Sequence, residues 1–174
     1  GTKILEPEVG MGQQEADGWL ARTAYLREQE LGLGVKTADC VPILLWSNSG
    51  VLVGAVHAGW RGLVAGVLEA WVEAAQQYRV VPEELSAAVG PSARSCCYEV
   101  GSEFLEIAPK SVLETKTGKR TLATERWAVQ QLEALGLPKK QIHVCGPCTI
   151  CSSDCFSYRR EKSSAGRQLS YISA

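Results

Sequence analysis

The spacing of apolar positions changes repeatedly along the chain. Leu31, Leu33 and Val35 alternate with Gly32, Gly34 and Lys36, a period of two that predicts a strand. Val41-Pro-Ile-Leu-Leu-Trp46 and Val51-Leu-Val-Gly-Ala-Val56 are continuously apolar, and Ser47-Asn-Ser-Gly50 between them carries turn chemistry. The two runs predict a hairpin of buried strands with a slightly long loop. Beyond His57-Ala-Gly-Trp-Arg-Gly62 the period lengthens. Leu63, Val67 and Trp71 fall four apart, and Val64, Leu68, Val72 and Ala75 widen the stripe. One amphipathic helix of about four turns is expected there. Leu85 to Val89 reads as a short strand. A second helix is predicted from about Ala123 to Gly136, where glycine followed by Pro138 stops it. Gln141 to Cys145 and Gln168 to Ile172 read as the last strands, and Gly1 to Leu5 as a candidate first one. Glu6 to Gly18 is turn-rich and acidic. Irregular alternation of strands and helices, with hairpins, predicts an α+β fold rather than a doubly wound sheet.

Composition narrows the picture. The 174 residues match one domain, and 45% apolar against 21% charged residues fits a packed core rather than a disordered chain. Eighteen Lys and Arg against nineteen Asp and Glu leave a net charge of −1, so no global basic field recruits nucleic acid. No apolar run approaches the ~20 residues of a membrane helix. Seven cysteines, with Cys96 and Cys97 adjacent, do not resemble a secreted disulfide framework, and a reducing, cytoplasmic compartment is expected. The chain opens at Gly1 without an initiator Met, so an N-terminal segment is expected to be missing.

Candidate chemistry concentrates between Cys40 and Gly62. Cys40 precedes one predicted strand and His57 ends the next. Adjacent antiparallel strands bring such positions to one edge of a sheet, so the two can meet although seventeen positions apart. An imidazole or a metal beside a thiol raises its thiolate fraction; the alternative is a buried thiol and a hydrogen-bonded loop histidine. Gly59 and Gly62 permit close backbone approach, Arg61 supplies a planar fork, and the predicted helix begins just afterwards. That combination suits a phosphate or carboxylate, although a turn can need glycines for its own sake. Trp60 is either pocket wall or core.

Two further segments carry cysteines. Gly90 to Gly101 holds Cys96 and Cys97; in an extended segment these point to opposite faces, so at most one is expected to face a site. Cys145, Cys148, Cys151 and Cys155 give C-x2-C-x2-C-x3-C, the spacing of a bacterial ferredoxin run, although Phe156 stands where that run has proline. A zinc knot of four thiolates is the other metal option. Arg159, Arg160 and Arg167 then either form a solvated loop or add to an anion pocket.

Four motifs, in order over nearly the whole chain, resemble those of the YfiH family, also called the multicopper polyphenol oxidoreductase or laccase-domain family. They are Thr37-Ala-Asp-Cys-Val-Pro42, Val56-His-Ala-Gly-Trp-Arg-Gly-Leu63, Gly90-Pro-Ser92 with Cys96-Cys-Tyr-Glu-Val-Gly101, and Cys148-Thr149 with Phe156-Ser-Tyr-Arg-Arg160 and Gly166-Arg167. The resemblance implies a single α+β domain, distantly similar to the cytotoxic necrotizing factor deamidases, which also use a Cys–His pair. It implies a metal site of one Cys and two His, usually zinc with copper as the alternative, in which Cys40 and His57 match two ligands. The remaining histidine belongs to a Gln-Val-His-Gly motif, and Gly1-Thr-Lys-Ile-Leu5 is similar to the continuation of that motif. That ligand is therefore expected just before residue 1, and this chain is expected to bind metal weakly or not at all. Family members usually carry Cys148-Thr149 without the rest of the cysteine run, which disfavours an iron–sulfur cluster.

The implied activity is phosphorolysis of adenosine, inosine, guanosine and methylthioadenosine, together with adenosine deamination, with a nucleoside and phosphate as partners. In that scheme Arg61 and Gly59 hold phosphate, with Arg159 and Arg160 as further anion ligands, and Asp39 or the Cys40/His57 pair relays a proton. Polyphenol oxidation and peptidoglycan precursor editing are the family's other assignments. Laccase chemistry needs several coppers with many imidazoles, which two histidines do not supply. From other classes come a metal-free thiol hydrolase on Cys40 and His57, and a binding or redox module on Cys145 to Cys155.

Overall fold

Short β1 (Ile4–Leu5) and β2 (Gly18–Arg22) lead into α1 (Thr23–Glu28), β3 (Gly32–Thr37) and the hairpin of β4 (Val41–Ser47) and β5 (Leu52–Ala58). The computed structural model describes residues 2–8, 16–116 and 118–174, so part of the turn-rich stretch after Glu6 lies outside the described residues. Helices α2 (Trp60–Val64) and α3 (Val67–Gln76) come next, then β6 (Leu85–Val89), α4 (Phe104–Ile107) and the ribbon of β7 (Leu113–Lys116) and β8 (Lys119–Leu122). The order ends with α5 (Thr124–Ala134), β9 (Ile142–Val144), α6 (Tyr158–Glu161) and β10 (Gln168–Ser173).

A six-stranded sheet, ordered β1-β2-β5-β4-β6-β9, forms the centre, with parallel outer pairs and antiparallel inner ones. Its two faces explain the unbroken apolar runs. Val41, Ile43, Leu45, Leu52 and Val56 join the main core with Trp71 of α3 and Trp127 and Leu132 of α5. Their neighbours Leu44, Trp46, Val53 and Ala55 pack instead against Leu26 of α1 and Leu33 and Val35 of β3. That second face is covered by the antiparallel ribbon β3–β10. With both faces buried, β4 and β5 need apolar residues at every position rather than at alternate ones. The architecture is α+β, as the alternation predicted.

One expected element divides. In place of a single helix after Gly62, α2 and α3 are separated at Gly66, whose φ of 80° is left-handed. Leu68, Trp71, Val72 and Ala75 remain in the core, but Val64 is exposed. Trp71 is fully buried, and its indole N–H donates to the Trp19 carbonyl at 3.0 Å. Gly54 faces that indole so closely that any Cβ there would overlap the ring. The second predicted helix stands as α5, with Gly136 at φ 102° just past its end. No described helix is long and apolar enough to cross a membrane.

Candidate active site

The β4–β5 register sets the site. Val41 pairs with Ala58 and Pro42 with His57, so Cys40, one residue before β4, stands beside Gly59, one residue after β5. A Cβ on Gly59 would lie 3.1 Å from Cys40 Sγ; glycine is what lets the thiol sit against this backbone. Cys40 and His57, both half-buried, line one cleft of about 590 Å³ together with Asp39, Gly59, Trp60 and Arg61. That volume lies within the 300–1,000 Å³ range usual for small-molecule sites. Trp60 serves as wall and core at once, meeting Phe104 edge-on with ring centroids 5.1 Å apart.

The cleft is rich in cations. Lys36 at the end of β3, Arg61 in α2, and Arg159, Lys162 and Arg167 from the C-terminal segment all line it, against the carboxylates of Asp17 and Asp39. The guanidinium of Arg61 stacks 4.3 Å over the Trp60 ring and makes no hydrogen bond or ion pair with a described residue. That of Arg159 lies 5.0 Å from the Tyr98 ring centre and donates to the Glu99 carbonyl at 3.2 Å. Arg167 donates to the carbonyls of Ala165 and Gly166.

Asp39 is a brace. One carboxylate oxygen accepts from the Thr149 hydroxyl at 2.7 Å and the other from the Arg159 backbone N–H at 2.6 Å. Its carbonyl accepts from the Ala93 N–H at 2.9 Å. Its φ of 89° is left-handed, a region that aspartate enters more readily than most residues. Three segments are thus anchored to the residue before Cys40.

Burial keeps the pair at the centre uncharged. It raises the Cys40 thiol pKa, with Asp39 acting in the same direction and Arg167 and Arg61 opposing. It lowers the His57 pKa, with Asp17 opposing. A buried thiol and imidazole, each shifted toward neutrality, do not form a thiolate–imidazolium ion pair spontaneously.

Some expectations need correction. Arg160 does not join the anion pocket: its guanidinium donates to the carbonyls of Thr149 (2.8 Å), Ile150, Ser152 and Cys155 and pairs with Glu161, so it ties the loop before α6 together. The helix after the histidine motif begins at Trp60, with Gly59 as N-cap, and has five residues. So short a helix has little macrodipole, and positive charge in the cleft comes from side chains. The ferredoxin-like set is not the one assembled. Cys145 is exposed and Cys155 buried elsewhere, whereas Cys148 and Cys151 gather with Cys96 and Cys97, all four sulfurs lying within 4.8 Å of one another. Cys96 and Cys97 both take part because they lie in a turn, not in an extended segment.

Cys40 and His57 offer a thiolate and an imidazole, the donor types zinc and copper take. A catalytic zinc site takes three protein ligands, and among the described residues no set of three His, Cys, Asp or Glu includes this pair. The described residues alone do not complete that site. Sequence reasoning also missed Lys36, Tyr98, Tyr158 and Lys162 in the cleft wall. They come from β3, the segment around Cys97 and the C-terminal stretch that begins at α6, whose meeting no local spacing announces; Tyr98 lies within the Cys-Cys-Tyr-Glu-Val motif, which gives it no role by itself.

An α+β sheet whose central hairpin carries a Cys–His pair into a cationic cleft defines the class. The chain belongs to the multi-copper polyphenol oxidoreductase laccase family, whose model matches residues 2–174. It is 45% identical over 130 residues to a purine nucleoside phosphorylase of Aquifex aeolicus, covering 75% of this chain and 60% of that protein. It is 32% identical over 183 residues to the purine nucleoside phosphorylase YlmD of Geobacillus stearothermophilus, covering 98% of this chain and 66% of the relative. The crystal structure of YlmD from that organism superposes with a TM-score of 0.85 at 29% identity, over 99% of this chain and 70% of the other. The adenosine deaminase RL5, from an unknown prokaryotic organism, is 34% identical over 155 residues, 84% of this chain and 59% of that protein. The chain thus spans about six-tenths of the length of these curated relatives.

Proposed function

We propose that the cleft at Cys40, His57 and Arg61 binds a purine nucleoside with inorganic phosphate, and that the protein cleaves the nucleoside by phosphorolysis. A phosphate oxygen bonds to ribose C1′, the C1′–N9 bond breaks, and the purine leaves with the electron pair and takes up a proton. The products are ribose 1-phosphate and the free base.

One observation carries this reading: the guanidinium of Arg61, unpaired among the described residues, shares a nucleoside-sized cleft with four other cations, beside a neutral Cys–His pair. Arg61 holds the phosphate, for which its planar fork is suited. Lys36, Lys162 and Arg167 supply the surrounding field, and the arginine-capped rings of Trp60 and Tyr98 line the space for ribose and base. The neutral pair relays the proton that the leaving purine accepts, Cys40 as the thiol that gives it and His57 as the base that restores it. The names of the curated relatives agree with this assignment.

Adenosine deamination is the second reading, favoured by the likeness to RL5. It needs an activated water; zinc, when bound with a complete ligand set, lowers the pKa of a coordinated water to about 7. A metal-free thiol hydrolase is disfavoured, because burial moves Cys40 and His57 away from the required ion pair. Incubating the protein with inosine should release hypoxanthine only when phosphate is present, and not in His57→Ala. Release at an equal rate without phosphate refutes phosphorolysis.

A further inference from the structure

Four thiols outside the cleft converge where the turn at residues 95–97 meets the loop after β9. Cys151 Sγ lies 2.7 Å from Cys97 Sγ and 3.5 Å from Cys96 Sγ, and with Cys148 all four sulfurs fall within 4.8 Å of one another. A tetrahedral ion with metal–sulfur bonds of about 2.3 Å holds its thiolates roughly 3.8 Å apart. The set brackets that separation: Cys96 and Cys151 stand near it, Cys97 and Cys151 open by about an ångström to reach it, and the cage has the size for a single ion. An iron–sulfur cluster, with several irons and sulfides inside its ring of thiolates, needs a wider cage.

The backbone holds the two segments in place independently of the sulfurs. Ser92 and Cys148 form a bridge, and the Thr149 N–H donates to the Ser92 carbonyl at 3.0 Å. Arg94 Nη2 donates to the Gly146 carbonyl at 2.6 Å. The N–H groups of Cys97 and Tyr98 both donate to the Arg94 carbonyl, closing the turn that brings the adjacent cysteines to one side. The Ser152 N–H donates to the Cys148 carbonyl, which folds Cys151 back beside Cys148.

We propose that Cys96, Cys97, Cys148 and Cys151 bind one zinc ion as a closed, structural tetrathiolate site. Four protein ligands leave no open position for a substrate, so the ion acts as a staple. Binding displaces the thiol protons to solvent. What it holds together matters for the cleft: Cys97 precedes Tyr98 of the cleft wall, and Cys148 precedes Thr149, which braces Asp39. The site shares no residue with Cys40 and His57 and stands whether or not the nucleoside reading is correct.

The test is metal content. Protein purified without added metal should carry about one zinc per chain, retained in Cys40→Ser/His57→Ala and reduced about tenfold in Cys96→Ser/Cys151→Ser. Should the cysteine variant fail to fold, alkylation of the wild-type protein and subsequent peptide mapping decide. Cys96 and Cys151 should be protected until a chelator is added, while exposed Cys145, outside the cluster, reacts with or without it. Wild-type protein without zinc, with iron in its place, or with a Cys97–Cys151 disulfide overturns the proposal. So does zinc unaffected by the double cysteine substitution, or alkylation of Cys96 and Cys151 at the rate of Cys145 before chelation.

Discussion

Asp39 and Thr149, 110 positions apart, are joined by a 2.7 Å hydrogen bond from the threonine hydroxyl to the carboxylate. Thr149 is fully buried, and the bond fastens the cysteine-bearing loop to the residue beside Cys40. Hydrogen bonds to charged groups are worth about 1.5–3 kcal/mol. Thr149→Val, which keeps the shape and removes the donor, should cost about that much in urea denaturation. A change below about 0.5 kcal/mol, the ordinary scatter of surface substitutions, would contradict the brace.

The contact of Gly54 with Trp71 sets a packing limit. Gly54→Ala forces a methyl group into a fully buried indole that is held by its bond to Trp19. Overpacking of this kind costs about 1–3 kcal/mol, and the upper end is expected because the ring has nowhere to move. Thermal unfolding should show a clearly lowered midpoint.

Arg61 is exposed and stacked rather than bonded, so its loss should leave stability nearly unchanged. In Arg61→Ala the KM for phosphate should rise about tenfold or more, the scale of a lost charge-assisted bond, with KM for nucleoside much less affected. An equal rise in both constants would place the phosphate elsewhere.

The central pair contributes to the pH dependence of stability in metal-free protein. His57 is held below its ordinary 6.5 by burial, so the unfolded chain binds its proton first as pH falls. The stability this shift confers is present above pH 6.5 and is lost as pH drops through the folded pKa. Cys40 is held above 9.0, so its contribution is present below that pH and is lost as pH climbs through its folded value. His57→Gln should flatten the acid limb of a stability–pH curve, and Cys40→Ser the alkaline limb. Curves parallel to wild type would show that neither group is shifted.

The hairpin at the centre was readable because both faces of β4 and β5 are covered, which leaves an unbroken apolar signal, and because a tight turn fixes the register that brings Cys40 toward His57. The break between α2 and α3 was not, since the apolar stripe runs through Gly66 and nothing in its period marks a left-handed backbone. The cysteines misled for a related reason. Regular spacing from Cys145 to Cys155 suggested one local ligand set, while two of the gathered sulfurs come from a turn in a separate segment. Arg159 and Arg160 look equivalent as letters; the Ser157 N-cap and the turn of α6 send one guanidinium to Tyr98 and the other into a nest of carbonyls.

Most directly decisive is a crystal structure of the protein soaked with phosphate and a non-cleavable purine nucleoside analogue. Phosphate density on the Arg61 guanidinium, with the ribose between it and the Cys40–His57 pair, is the predicted result. Density for both ligands elsewhere on the protein, or an occupied cleft in which phosphate avoids Arg61, would contradict it.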